Sequence, residues 1–124
     1  MIIGIGTDIA EVARIANSIE NNSFKEKVFS KAEIVYCEGK VNKAESYAAR
    51  FAAKEAFFKA LGTGWRGGVA FNEVEVVNDE LGKPSINVIG TTADLIKDRN
   101  IKNIHVSLSH IKEIAMATII LEGS

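Results

Sequence analysis

Apolar and polar positions follow two different periods along this chain. The opening "IIGIG" (2–6) is a short apolar run that predicts a first strand. Asp8 stands just past its end, placed to cap a helix whose apolar positions are Ile9, Val12, Ile15, Ala16 and Ile19. "NNS" breaks that pattern. Ser30 and Glu33 have capping-box spacing and open a short helix, and Asn42 and Glu45 repeat the spacing at the head of a long one. The long helix runs through Leu61 and is stopped by Gly62. Beyond the glycine-dense loop "GTGWRGG" (62–68) the period changes to two. "FNEVEVVND" (71–79) and "SINVI" (85–89) alternate as strands around the turn "NDELGKP", predicting a hairpin. "TTADLIKDRN" (91–100) reads as a short helix with a threonine cap. "IHVSLSH" (104–110) alternates again. The β-branched run "EIAMATIIL" is the last strand and is expected to be covered on both faces. The sum is an α+β domain, with helices mainly in the first half, an antiparallel sheet in the second, and one long helix packed across it.

The long helix contains an anomaly. On a helical wheel centred on Phe51, the residues Ala44, Tyr47, Ala48 and Phe58 make an apolar stripe, and Glu55 falls inside it. Two readings follow. Glu55 sits at the stripe's rim and pairs with Lys59 one turn on, or it binds a metal, because a buried unpaired charge costs several kcal/mol. A hard cation such as Mg²⁺ takes one or two protein carboxylates, keeps waters and shares a substrate phosphate. Asp8, beside Gly4 and Gly6, is the natural second carboxylate; its alternative role is the plain helix cap.

Composition narrows the classes. At 124 residues the chain is one domain, and its 47% apolar content is that of a folded soluble protein. A net charge of −1 argues against a large nucleic-acid footprint. The single cysteine, Cys37, has no internal partner, fits a reducing compartment and reads as a half-buried helix residue. No secretion signal opens the chain, and the apolar run 114–121 is too short to span a bilayer as a helix. A cytoplasmic, membrane-free protein is expected.

His105 and His110, five apart on a strand, point to opposite faces, which argues against zinc. No G-x-S-x-G elbow surrounds Ser107 or Ser109, and neither glycine-rich stretch matches a phosphate-binding loop. Arg50, Lys54, Lys59, Arg66 and Lys83 are possible sources of positive charge for phosphates.

Four segments together resemble the holo-[acyl carrier protein] synthase family, small 4'-phosphopantetheinyl transferases: "GIGTDIAEVARI", "RFAAKEAFFKALGTG", "GKP" (82–84) and "HVSLSHIKEIAMA". They occur in the family's order over nearly the whole chain. The resemblance implies the 4'-phosphopantetheinyl transferase fold and transfer of the phosphopantetheine arm of coenzyme A to a serine of apo acyl carrier protein, releasing adenosine 3',5'-bisphosphate. It implies Mg²⁺ held by Asp8 and Glu55, Lys59 and His110 with Glu55 as catalytic groups, and Arg50, Lys54, Lys59, Gly62, Lys83, Pro84 and His110 around coenzyme A. The base for the serine proton stays open among Glu55, a metal-bound water and His110. Arg14 matches the family's docking arginine for the acidic carrier, with Lys25 and Lys27 as further cations. The family also implies a homotrimer with active sites in the clefts between subunits, which would cover the sheet's second apolar face.

Overall fold

A computed structural model describes residues 1–62 and 70–123, so the loop expectation at 63–69, Arg66 included, lies outside the described residues. Strand β1 (Ile2–Glu11) leads into three short helices, α1 (Val12–Ser18), α2 (Asn22–Val28) and α3 (Lys31–Glu38), and then the long α4 (Lys43–Leu61). A 3₁₀ turn (Phe71–Glu73) precedes β2 (Val74–Asn78) and β3 (Pro84–Val88); α5 (Gly90–Asp98), β4 (Ile101–His110) and β5 (Ile114–Gly123) follow. The strands form two antiparallel sheets, one ordered β1-β5-β4 and the other the β2-β3 hairpin. The expected sheet of the second half therefore takes its edge from the first residues of the chain.

β1 is longer than the sequence pattern suggested. Ile9, Ala10 and Glu11 stay paired with Met116, Ala115 and Ile114 of β5, and the helix cap is Glu11. Asp8 is thus a strand residue and caps nothing. Available strand partners on β5 override the local helical spacing. The period of two explains the faces. Gly4, Gly6, Asp8 and Ala10 alternate with Ile5, Thr7 and Ile9, and Gly6 and Ala10 are buried while Ile5 and Ile9 are exposed. A Cβ on Gly4 would run into the carbonyl oxygen of Ala60, and one on Gly6 into that of Ala56. The glycines let β1 lie directly on α4.

α4 is buried almost all round, with Ala48, Ala52, Ala53, Ala56 and Phe57 inaccessible to solvent. From Tyr47 to Lys59 only Phe51, Glu55 and Lys59 are not buried. These three are spaced four apart, so they form one seam along the helix. Of the apolar stripe inferred around Phe51, Tyr47, Ala48 and Phe58 are buried, while Phe51 itself lies at the edge of the open seam with Glu55, and Gly62 closes the helix in the left-handed conformation at φ 80°.

Some local signals held and others were redirected. The Ser30–Glu33 capping box forms. Asn42 makes no side-chain cap, and Thr91 and Thr92 bond Glu73 rather than capping α5 through a threonine at the cap position. Cys37 is fully buried rather than half-buried. β5 alternates buried Ala115, Ala117, Ile119 and Leu121 with exposed Ile114 and Met116, so one face is covered and the other is not, contrary to the expectation of cover on both faces. No helix among the described residues is long and apolar enough to cross a membrane.

The two sheets are tied through a charge. Lys54 on α4 is fully buried and its ammonium donates to Glu33 Oε1 at 2.6 Å, to the Phe71 carbonyl at 2.9 Å and to the Val74 carbonyl at 2.6 Å. Glu33 accepts in turn from the backbone N–H of Ser30 and of Val76. Burial pushes the Lys54 ammonium pKa down and Glu33 opposes it. Replacing Glu33 with alanine leaves this ammonium uncompensated in the core and is expected to cost about 3–5 kcal/mol of unfolding free energy. A denaturant titration measures it; a loss below about 1 kcal/mol would show the pair does not tie the sheets.

Candidate active site

Asp8 comes to the site on the inward face of β1, and Glu55 and Lys59 come on the open seam of α4. The contact of strand and helix at Gly4 and Gly6 brings them together. Lys59 Nζ donates to Asp8 Oδ1 at 2.8 Å and to the Thr7 carbonyl at 3.1 Å. That hydrogen bond holds the Lys59 pKa above the ordinary lysine value. Glu55 differs. Partial burial raises its carboxyl pKa first and the Asp8 carboxylate raises it further, against a smaller opposing effect of Lys59. Two carboxylates thus share one lysine, which is bonded to Asp8. Glu55 is left short of positive charge.

These two acids open into a cavity of about 670 Å³. Phe24, Phe51 and Phe71 form part of its wall, with the Phe51 and Phe71 rings stacked at 6.1 Å. Arg14 and Lys27 line it as well, together with Glu11, so a rim of two cations and one acid flanks the aromatic wall next to the carboxylates. Lys25 does not share that role: it is paired with Glu38 at 3.3 Å. Glu38 also receives Lys43 and the Tyr47 hydroxyl, and the Tyr47 bond is the main reason its pKa falls to about 2.

A second cavity, of about 530 Å³, gathers Tyr36, Lys40, Glu45, Arg50, Asn78 and His110. Gly82, Pro84 and Ser107 complete its wall. Arg50 is 3% exposed. Its guanidinium lies 4.2 Å over the Tyr36 ring, donates to Ser46 and Asn78, and keeps Nε without a partner among the described residues. Lys40 stands 4.6 Å over the same ring. His110 ends β4 with Nδ1 3.1 Å from Glu45 Oε1. Gly82, at φ 86° in the hairpin turn, presents its carbonyl to Asn78.

The expected site residues therefore divide. Asp8 and Glu55 line the first cavity with Arg14 and Lys27, and Lys59, outside that lining, reaches it through its bond to Asp8. Arg50, Pro84 and His110 meet in the second. Lys54 joins neither: its three donors are consumed in the core, so as a phosphate ligand it is a correction. Gly62 shapes the end of α4 and lines neither cavity. Lys83 lies between two lining residues, its peptide N–H held by Asp79. Tyr36, Lys40, Glu45 and Asn78 were not anticipated. The spacing of Asn42 and Glu45 was legible only as a helix cap, and Asn78 reads as an ordinary turn residue until the fold sets it against Arg50.

The chain's similarities agree with this arrangement. The profile described as 4'-phosphopantetheinyl transferase superfamily matches residues 4–119. The chain is 48% identical to a holo-[acyl-carrier-protein] synthase of Solibacter usitatus, over 99% of this chain and 100% of that one. It superposes on the crystal structure of the Neisseria meningitidis holo-[acyl-carrier-protein] synthase with a TM-score of 0.90 at 33% identity, covering 98% and 99% of the two chains. A holo-(acyl-carrier-protein) synthase from Bacillus anthracis, solved in complex with CoA (3',5'-ADP), gives a TM-score of 0.83 at 38% identity, covering 100% and 99%. With the matched profile spanning both sheets and both cavities, the chain belongs to the 4'-phosphopantetheinyl transferase superfamily, among the holo-[acyl-carrier-protein] synthases.

Proposed function

We propose that this protein transfers the 4'-phosphopantetheine group of coenzyme A to a serine of apo acyl carrier protein, in support of fatty acid synthesis in the cytoplasm. One observation supports the reading most: two coupled carboxylates, Asp8 and Glu55, sharing one lysine at the edge of a cavity that Arg14 and Lys27 also line. In the reaction the serine oxygen bonds to the phosphorus next to pantetheine. The bond from that phosphorus to adenosine 3',5'-bisphosphate breaks, and the serine proton leaves to a base.

The carboxylate pair fits a hard divalent cation. Among the described residues no cluster of three or more ligating side chains occurs, so the pair would leave most positions to water and phosphate oxygens, as Mg²⁺ prefers. Glu55's excess of negative surroundings is what a cation would relieve. Asp8 and Glu55 would hold it, and bound there it would offset charge building on the diphosphate. Lys59 supplies a mobile positive charge at the same place, since it is largely exposed and, among the described residues, bonds only oxygen atoms of Thr7 and Asp8. Asp8 is occupied by Lys59, so Glu55 is the side chain of the pair left to receive the serine proton. Arg50, Lys40 and His110, with the turn at Gly82 and Pro84, suit the nucleotide end of coenzyme A. Arg14 and Lys27 suit an acidic carrier, as basic side chains steer an acidic partner.

Distance argues for a shared site. His110 contacts Glu45, which is ten residues, about 15 Å, along α4 from Glu55. One subunit therefore does not bring its own His110 to its own Glu55. The outer face of β1-β5 exposes Ile5, Ile9, Ile114 and Met116, an unpartnered apolar strip. A homotrimer packed through this face would cover it and set the first cavity of one subunit against the second cavity of the next.

Three outcomes test this reading. Asp8→Ala and Glu55→Ala are each expected to keep the fold and to lower transfer by about a hundredfold or more, with chelation abolishing and Mg²⁺ restoring activity in the parent. Mass spectrometry of apo carrier protein gaining one phosphopantetheine reads this; full activity of either variant at limiting Mg²⁺ overturns the site. Secondly, Glu55 carries a raised carboxyl pKa in the metal-free fold. Its ionised form is the disfavoured one, so stability contributed by the neutral form is present below the unfolded carboxylate value and is lost as pH rises through the folded one. Glu55→Gln should therefore stabilise the metal-free protein at pH 7, by less than about 1 kcal/mol given solvent screening, with the gain vanishing below pH of about 4. Thermal unfolding across pH in chelator checks the sign. Thirdly, Ile5→Asp should convert a trimer to monomers in sedimentation and lose transfer with it; a monomeric parent with full activity refutes the shared cleft.

A further inference from the structure

Among the described residues, the cavity suited to the nucleotide end is lined by one acid. Glu45 lines it together with Lys40, Arg50 and His110. A carboxylate in a space for phosphates repels them unless its charge is committed elsewhere. Here it is committed: Glu45 Oε1 stands 3.1 Å from His110 Nδ1. The acid is the more enclosed member, with its side chain 19% exposed against 48% for the imidazole. Glu45 sits in the first turn of α4, and because Asn42 makes no side-chain cap there, the acid is not drawn into a capping box. It turns instead toward the last residue of β4. The contact joins a helix start to a strand end across the floor of the cavity.

We propose that Glu45 is a positioning residue for His110. It accepts from the Nδ1–H, fixing the ring's plane and its tautomer, and so reserves Nε2 for an anionic group of the ligand. A neutral imidazole carries one proton on two nitrogens. Holding that proton on Nδ1 leaves Nε2 bare in the free protein. When a phosphate oxygen arrives, the ring takes a second proton from solvent and donates from both nitrogens, one to Glu45 and one to the phosphate. Glu45 is then the counter-ion that keeps this cation in place. What Nε2 meets rests on the transferase reading, with coenzyme A as the ligand; the pairing of Glu45 with His110 does not.

The experiment has two arms. With His105→Gln in the background, His110 is the one remaining histidine of the two in the chain, and ¹⁵N NMR of its ring reports the tautomer directly in the free protein. The neutral ring is expected to carry its proton on Nδ1, and Glu45→Ala is expected to move it to Nε2. In steady-state transfer, Glu45→Ala is expected to raise the KM for coenzyme A by about tenfold to a hundredfold. Glu45→Gln, whose amide oxygen still accepts from Nδ1–H, should recover most of that. Adding His110→Ala to Glu45→Ala should cost little more than His110→Ala alone, since the two act through one ring. The same tautomer in the presence and absence of Glu45, or fully additive losses, overturns the proposal. Should the protein transfer no phosphopantetheine at all, the transferase reading falls, and the ring tautomer alone still decides whether Glu45 positions His110.

Discussion

The approach of β1 to α4 is the constraint on which the rest depends. At Gly4 and Gly6 the strand backbone lies against the carbonyls of Ala60 and Ala56, closer than any side chain permits. Two residues further along the strand, on the same face, stands Asp8. One position before Ala56 on the helix stands Glu55, and one before Ala60 stands Lys59. A strand displaced outward by the thickness of a methyl group would separate these charges and break the Asp8–Lys59 bond. The site is therefore a by-product of packing density: charges placed where a close strand–helix contact emerges from the core. This is also why the short glycine motif need not contact phosphate. Its function is steric.

Consecutive residues of α4 have opposite fates because a helix turns by about 100° per residue. Lys54 points into the core, where Glu33 and two carbonyls consume its donors. Glu55 points along the open seam. The buried lysine fixes the 3₁₀ turn at 71–73 and the start of β2 to the helix, and Phe71 of that turn stacks on Phe51 in the cavity wall. So the inner charge sets the wall of the cavity and the outer one faces into it. A buried ion pair is poor evidence of stability by itself, because desolvation offsets attraction. Its value here is registry: a single ammonium geometry is satisfied by one placement of α3, α4 and β2.

The sequence disclosed most element types, though not α2 or the 3₁₀ turn at Phe71–Glu73, and it disclosed the capping box at Ser30, the glycine stop at 62 and the hairpin, since each is set by local periods and turn chemistry. It misplaced what depends on partners far along the chain. The end of β1 was hidden because Ile9, Val12 and Ile15 also satisfy helical spacing, and only β5, more than a hundred residues on, decides in favour of strand through Ala10. The burial of α4 was only partly legible for a related reason. The wheel put the buried Tyr47, Ala48 and Phe58 in one stripe, but alanines elsewhere on it, Ala52, Ala53 and Ala56, are buried as fully, and Ala56 lies where β1 comes closest. Glu55 still stood out, because a carboxylate beside phenylalanines conflicts with either face. Lys54 did not, because a lysine reads as surface unless its buried partner is known.

On the proposed reading, the two cavities of one chain carry complementary halves of a single chemistry. The first holds acids, an aromatic wall and the cations Arg14 and Lys27. The second holds cations, with Glu45 spent on His110. Because α4 is rigid and carries Glu45 and Glu55 about three turns apart, no side-chain rearrangement within one chain merges them. The exposed isoleucines on the outer face of the three-stranded sheet give a physical reason for copies to associate, and association is the simplest way for a diphosphate held by one cavity to have its nucleotide end held by the other. On this view the long helix acts as a spacer. In that proposal its length would keep one chain from completing its own site, and assembly would be the condition for activity.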